Sequence, residues 1–242
     1  MRNKYIWILF WSAAVVSALG QEKKDRPQPF FTREQAPHLE LVLPNPPELT
    51  DALFFNDWTQ YRHGISVRDT ERGELAVKDA SFNGASLLRR FSPAVGLELT
   101  KETHPELWLL FARLHLTEQQ AGASAKAHFK RVRPYQQYKE PSGVPGHERS
   151  TDFTSYPSGH THAAWLVGLA LASIDPEHTA EIMKIAYDIG QSRVIVGFHY
   201  QSDVDMGRLA GSITFARVSA EPEFQKQWQK ARKEYLKYKN SH

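Results

Sequence analysis

Apolar positions along this chain recur at helical spacing far more often than they alternate. Residues 5–16 form a first apolar stretch. The stretch 21–50 then carries Pro27, Pro29, Pro37, Pro44, Pro46 and Pro47. Each proline removes a backbone donor, so this stretch reads as an extended lead-in. From about Asp51 the spacing turns helical: Ala52, Phe54, Phe55, Trp58 and Tyr61 share a face, and Thr50 or Asp51 can cap the start. Residues 68–85 are polar and mixed. The next element opens at His104-Pro105-Glu106, with proline at the first helical position and Leu107, Leu109, Leu110, Leu114 and Leu116 along it. It runs into, or turns toward, a second helix ending near Arg133-Pro134. Residues 139–156 are rich in Gly, Ser and Pro and read as a loop. Residues 161–173 are apolar nearly all round, the mark of a helix buried on every side. Asp175-Pro176 caps the next helix, with Ile182, Ile185, Ala186 and Ile189 facing inward. A further short helix is read over 192–196. Another starts at Ser202, where Ser202 and Asp205 form an S-x-x-D capping pattern. Residues 222–239 read as an exposed amphipathic helix. With no strand run and no repeat, the expectation is an all-α, single-domain helical bundle.

Composition narrows the function. A chain of 242 residues, 41% hydrophobic and 24% charged, can bury a core without staples. It has no cysteine, which excludes disulfides, thiolate metal sites and a cysteine nucleophile. The formal charge of +3 includes Arg2 and Lys4; beyond residue 20 the balance is only +1. A chain so near neutrality is a poor sequence-independent nucleic-acid binder. Met1-Arg2-Asn3-Lys4, the apolar run and the small residues of Ala18-Leu19-Gly20 make residues 1–20 read as an export signal, with Gln21 as the mature start. A membrane anchor is the alternative, but the run is shorter than the roughly 20 residues needed to span a bilayer. The expected division is a signal peptide at 1–20, the lead-in at 21–50 and an all-α domain at 51–242.

Three clusters carry chemistry. Lys126 and Arg133-Pro134 stand seven residues apart, close to two helical turns, so both cations are expected to face one way. Pro134 disfavours helix at Arg133 and puts its guanidinium at a helix end. Lys130 and Arg131 lie between them, so a solvated basic face would also explain the group. Pro157-Ser158-Gly159-His160 directly precedes the buried helix. There, successive N–H groups and the helix dipole favour an anion, and a histidine can protonate an oxygen bound beside it. A plain turn and N-cap is the competing explanation. Ser192-Arg193, His199 and Asp203 form the third cluster, with Gly197 expected to end the helix that carries Arg193. A carboxylate on one imidazole nitrogen fixes the tautomer and leaves the other nitrogen as a nucleophile. Separately, Asp203 could simply pair with a helix dipole and His199 could be a satisfied core histidine. Together, the clusters supply three cations, an amide nest, an acid and an oriented nucleophile, as phosphoryl transfer from a monoester requires.

The run K-x6-R-P, then P-S-G-H, then S-R-x5-H-x3-D, is similar to the signature of the type 2 phosphatidic acid phosphatase superfamily. Within it, the chain resembles the bacterial class A non-specific acid phosphatases from about Leu43 to the C-terminal helix. The stretch Ser155-Tyr156-Pro157-Ser158-Gly159-His160-Thr161 carries that likeness, with Thr154 where glycine is usual. Asp69-Thr70-Glu71-Arg72-Gly73, Gly190-Gln191-Ser192-Arg193-Val194 and Gln201-Ser202-Asp203-Val204-Asp205 match as well. The cysteine pair of some members is missing. The resemblance implies a compact all-α fold shared with vanadium haloperoxidases, a periplasmic or secreted location, a homodimer or larger homo-oligomer, and no metal or other cofactor. It implies that His199 attacks phosphorus, Asp203 orients it and His160 protonates the leaving alcohol. Lys126, Arg133, Arg193, Ser158 and Gly159 would hold the phosphoryl oxygens. Small phosphate monoesters such as nucleotides, sugar phosphates and aryl phosphates are the implied substrates, with net transfer to an acceptor alcohol as a second outcome. A vanadium-dependent haloperoxidase with the same anion pocket is the alternative. A membrane lipid phosphatase would need several spanning helices, and a mere phosphate binder would not need an oriented histidine.

Overall fold

An unbroken apolar run must be surrounded, and the helix formed by the run at 161–173 is the centre of the molecule. The computed structural model describes residues 26–241, so the expected export signal lies outside the described residues. Among these, all regular elements are helical. The lead-in contains two short 3-10 turns, Arg33–Gln35 and Leu39–Leu41. The α-helices follow as α1 (Ala52–Ser66), α2 (Glu71–Lys78), α3 (Gly84–Val95), α4 (Pro105–Ala121), α5 (Ala123–Phe129), α6 (Pro134–Gln137), α7 (Gly159–Ile174), α8 (Thr179–Ile195), α9 (Gln201–Val218) and α10 (Pro222–Lys239).

Helix α7 packs most extensively against α8 and α9, and also against α4. Ala163, Leu166, Val167, Ala170 and Leu171 on it are all fully buried. Burying each of the larger side chains contributes roughly 1.5–3 kcal/mol. The α7–α9 contact is close because α9 carries glycine: a Cβ on Gly207 would stand 2.8 Å from the Ser158 carbonyl oxygen and 2.8 Å from Thr161 Cβ. Ile182, Ala186 and Ile189 of α8 face the core as expected, with Ile185 partly buried. Helix α10 lays Phe224, Gln227, Ala231 and Tyr235 against the bundle, mainly against α4. A smaller apolar cluster of Tyr135, Val144, Val196 and Phe198 lies under the loop that precedes α7.

Several local expectations change. The polar 68–85 stretch contains α2, whose Arg72 reaches back to α8. Helix α3 starts at Asn83, whose Oδ1 accepts from the Ala85 and Ser86 amides at 3.0 Å. Residues 192–196 do not form a separate helix but are the last turn of α8. The cap of α9 is two residues earlier than read, at Tyr200. Its amide donates to Asp203 Oδ2 (2.9 Å), so Asp203 rather than Asp205 caps the helix. On α1 the buried stripe is Asp57, Tyr61 and Gly64, whereas Phe55 is 73% exposed. The spacing is helical and Tyr61 is inside as expected, but the buried face is offset because Asp57 and Gly64, not Phe55 and Trp58, meet the bundle beside it.

Candidate active site

The loop of residues 139–158 and the facing ends of α5, α7 and α8 enclose a cleft of about 710 Å³. Lys126, Arg133, Gly159, His160, Arg193 and His199 line it. The cleft thus unites three segments widely separated in sequence. Helix α5 stops at Phe129 because Lys130 is left-handed (φ 47). Lys126 and Arg133 therefore converge through a turn of chain, not through two turns of one helix as their spacing suggested. Arg133 sits at the start of α6 with extended backbone, consistent with the proline that follows it.

The imidazole of His199 is held at both nitrogens. Arg133 Nη1 lies 3.0 Å from its Nε2 and can only donate, so Nε2 accepts. The proton is then on Nδ1, which donates to Asp203 Oδ2 (3.3 Å). Gly197 (φ 75) turns the chain out of α8, and the Phe198 and His199 amides both return to the Arg193 carbonyl. His199 and Arg193 are therefore placed by one helix end. Burial, then Arg133, Arg193 and Lys126, hold the His199 pKa well below the usual histidine value.

Arg193 is 4% exposed, and its Nε and Nη1 are buried without a protein acceptor. Its guanidinium lies 4.9 Å from the Phe198 ring centroid. Burial and the charge of Arg133 lower its pKa to about 9. Behind it, Ser192 Oγ donates to Asp79 (2.6 Å) and accepts from Arg72 (3.0 Å). Two of the matched stretches thus meet where they brace Arg193. Lys126 Nζ donates to the Thr154 and Pro157 carbonyls (2.9 and 2.6 Å). Thr154 is more than a tolerated change: its hydroxyl accepts from Arg133 Nη2 (3.0 Å).

Ser158 caps α7, and its Oγ accepts from the Thr161 hydroxyl at 3.0 Å. It is fully buried and does not line the cleft. The first-turn amides of Gly159 and His160 have no carbonyl within the helix to bond. The half-buried His160 places Nε2 3.4 Å from the Ala80 carbonyl, and its ring lies 4.6 Å from that of Phe82. A carbonyl only accepts, so Nε2 carries the proton there. Burial, then Arg193 and His199, push the His160 pKa well down. Asp203 does not line the cleft either; it stands behind His199, fully buried. Among the described residues no group of three or more His, Asp or Glu side chains gathers with the geometry of a metal site.

Residues 107–224 match the PAP2 superfamily. A "Non-specific acid phosphatase" of Providencia stuartii is 38% identical over 235 residues, covering 95% of each chain. The chain belongs to the non-specific acid phosphatases of the PAP2 superfamily. A Salmonella typhimurium protein of the same name is 37% identical over 236 residues, 97% of this chain and 93% of its own. An "Acid phosphatase" of Zymomonas mobilis is 32% identical, covering 83% of this chain and 76% of its own.

This PAP2 site contains residues that the motifs did not name. Glu118 lines the cleft, 4% exposed, with Oε1 3.6 Å from His162 Nδ1. A Cβ on Gly159 would stand 3.1 Å from the same oxygen, so glycine there makes room for Glu118 as well as for a ligand. Burial raises the Glu118 pKa, with Lys126 opposing. The signal was present: Glu118 falls on the apolar stripe of Leu107, Leu110, Leu114 and Ala121, where an acid is out of place. Arg131, read as part of a basic face, is buried against Asp203, and Asp57 lies behind it.

Proposed function

We propose that this PAP2-superfamily acid phosphatase hydrolyses phosphate monoesters through a phosphohistidine on His199. The observation that carries the reading is the doubly held imidazole of His199, presenting an unprotonated Nε2 to a cleft lined by Lys126, Arg133 and Arg193. A phosphoryl group there would find buried Arg193 donors that have no protein acceptor. The two first-turn amides of α7 would add to them. Equatorial charge is stabilised by such preorganised donors. Ser158 contributes as the cap that aims these amides; its hydroxyl would have to leave Thr161 to bond phosphate directly.

In the first step His199 Nε2 forms a bond to phosphorus as the bond to the ester oxygen breaks. Arg133 passes its hydrogen bond from Nε2 to a phosphoryl oxygen. His160 keeps its Nε2 proton toward Ala80; its Nδ1, protonated by the substrate monoanion as it binds, delivers that proton to the departing alkoxide, which leaves as the alcohol. Asp203 remains ionised and stabilises the positive charge that develops on His199. In the second step His160 takes a proton from water as the water oxygen attacks phosphorus. The P–N bond breaks, His160 passes its extra proton to the departing phosphate, and both histidines return to their first state. An alcohol in place of water gives net transfer.

The substrate class is small monoesters of varied leaving group, and the enzyme acts outside the cytoplasm after loss of residues 1–20. A substrate panel with phosphate release measured tests the class. Alkaline quenching during turnover followed by phosphorus NMR tests the intermediate. A phosphoramidate signal that vanishes in His199→Ala is expected; its persistence in that variant overturns the assignment.

A further inference from the structure

Behind Asp203, on the side away from the cleft, lies a charged group that holding a phosphate does not call for. Arg131 is 8% exposed and Asp57 is fully buried. Neither lines the cleft, so neither touches substrate. Arg131 Nη1 donates to Asp203 Oδ1 (2.6 Å), and its Nη2 donates to Asp57 Oδ2 (2.8 Å). Asp57 also accepts from the amide and hydroxyl of Ser202 (2.7 and 2.6 Å), in the first turn of α9. Ser202 Oγ in turn lies 2.7 Å from Arg131 Nη1, and the guanidinium stacks 4.0 Å over the Tyr200 ring.

We infer that Asp57 and Arg131 are positioning residues that set both the orientation and the effective charge of Asp203. The inference rests on the reading of His199 as nucleophile. Orientation comes first. Asp203 Oδ2 is shared by Ser155 Oγ (2.6 Å), the Tyr200 amide (2.9 Å) and His199 Nδ1 (3.3 Å). Two donors nearer than His199 compete for that oxygen. Arg131 on Oδ1 fixes the carboxylate plane, so Oδ2 cannot rotate away from the imidazole.

Charge comes second. A lone guanidinium at 2.6 Å would largely cancel Asp203 and leave the His199 imidazolium without a counter-charge. Asp57, on the other arm of the same guanidinium, returns that negative charge. The row runs Asp57, Arg131, Asp203, His199, with alternating sign once His199 is phosphorylated. In a buried setting such alternation is worth far more than in water. The other charged or titratable groups facing His199 are Arg133, Arg193, Lys126 and His160, and those facing Asp203 include Tyr156 and Tyr200. None of these supplies negative charge at neutral pH; the nearby acids Asp152 and Asp79 are paired with Arg133 and Arg90, which leaves Asp57 as the acid that balances the guanidinium on Asp203.

The test uses Asp57→Asn, Arg131→Gln and the double variant, in the full mature enzyme. The readouts are rapid-quench p-nitrophenol release and the pH profile of kcat/KM. Asp57→Asn should slow phosphoenzyme formation about 10- to 100-fold, the range commanded by partners that orient active-site ligands. KM should stay nearly constant. The acid limb of kcat/KM, where His199 loses its proton, should move to lower pH in Asp57→Asn and to higher pH in Arg131→Gln. In the double variant the acid limb should return toward its wild-type position, because removing both charges restores the carboxylate's pull on His199. A purely structural role slows the variants but leaves the limbs of all three unmoved, and that result overturns the inference. If Asp57→Asn folds poorly, the Arg131→Gln limb shift decides alone. Absence of phosphohistidine in the wild type would defeat the nucleophile reading. Its presence with equal rates in wild type and Asp57→Asn would defeat only this one.

Discussion

Burial and the surrounding cations hold both cleft imidazoles below the ordinary histidine pKa, so at neutral pH the free enzyme has its nucleophile ready and its acid unprotonated. The missing proton must arrive with the substrate monoanion, whose second ionisation lies near pH 6. The alkaline limb of kcat/KM should therefore follow the substrate: changing the ester should move the limb by the difference in the two esters' own ionisation. A limb that ignores the substrate would show that the proton comes from elsewhere. The two histidines should also fail differently. His160→Ala should nearly abolish turnover of an alkyl phosphate, which leaves as a basic alkoxide, yet still release p-nitrophenol from its ester in a burst. His199→Ala should show no burst with either substrate. Glu118 acts on the same limb. Its raised carboxyl ionises as pH climbs and sets a negative charge beside Lys126, near His115, His160 and His162. Glu118→Gln should lower the inhibition constant of inorganic phosphate severalfold at about pH 8 and little at about pH 5, where wild type is already protonated. Equal effects at both values would remove Glu118 from the pH response.

At the scale of the elements, catalysis depends on how closely α9 approaches the start of α7. The Ser158 amide donates to the Asp203 carbonyl at 3.0 Å, so the cap of one helix is tied to the first turn of the other. Gly207 permits this approach, and the obstacles to a larger residue are the Ser158 carbonyl and the Thr161 Cβ, neither of which can rotate aside. Gly207→Ala should cost about 1–3 kcal/mol in a urea titration, as overpacking of a tight contact usually does. It should also lower kcat, because Asp203 moves with α9 while His199, placed by the end of α8, and His160, on α7, do not. Full activity with unchanged stability would mean that the two helices slide apart at no cost.

For the whole molecule, the depressed imidazoles link stability to pH. His160, His162 and His199 have folded pKa values below the unfolded value of about 6.5. For such groups the stability is fully present above the unfolded pKa and is lost as pH falls toward the folded one. Thermal scans should show Tm falling steadily below about pH 6.5. Phosphate should raise Tm most strongly in acid, since it binds the folded state and favours the protonated cleft. A Tm that is flat down to about pH 4 would mean that these imidazoles are not held neutral by the fold.

Some of this protein follows from local order along the chain. The burial of α7 follows from an apolar run with no polar face, and the start of α4 from a proline at its first position. The turn after α8 follows from Gly197, whose left-handed backbone carries His199 back over Arg193. The motif residues could be picked out because their spacings were distinctive, not because spacing revealed geometry. Lys126 and Arg133 do meet in the cleft, but by way of a left-handed Lys130 that helical counting did not anticipate. The tertiary structure alone decided which face of α1 is inside, and that polar Asp57 outranks Phe55 there. Its partners Arg131 and Ser202 lie 74 and 145 residues further along, beyond any local pattern. Glu118 shows the same division: sequence could mark it as an acid on an apolar stripe, but only the packing of α4 against the start of α7 gave it Gly159 as a neighbour. Periodicity reports which residues a helix can bury; the charges that must be neutralised across helices decide which of them it does.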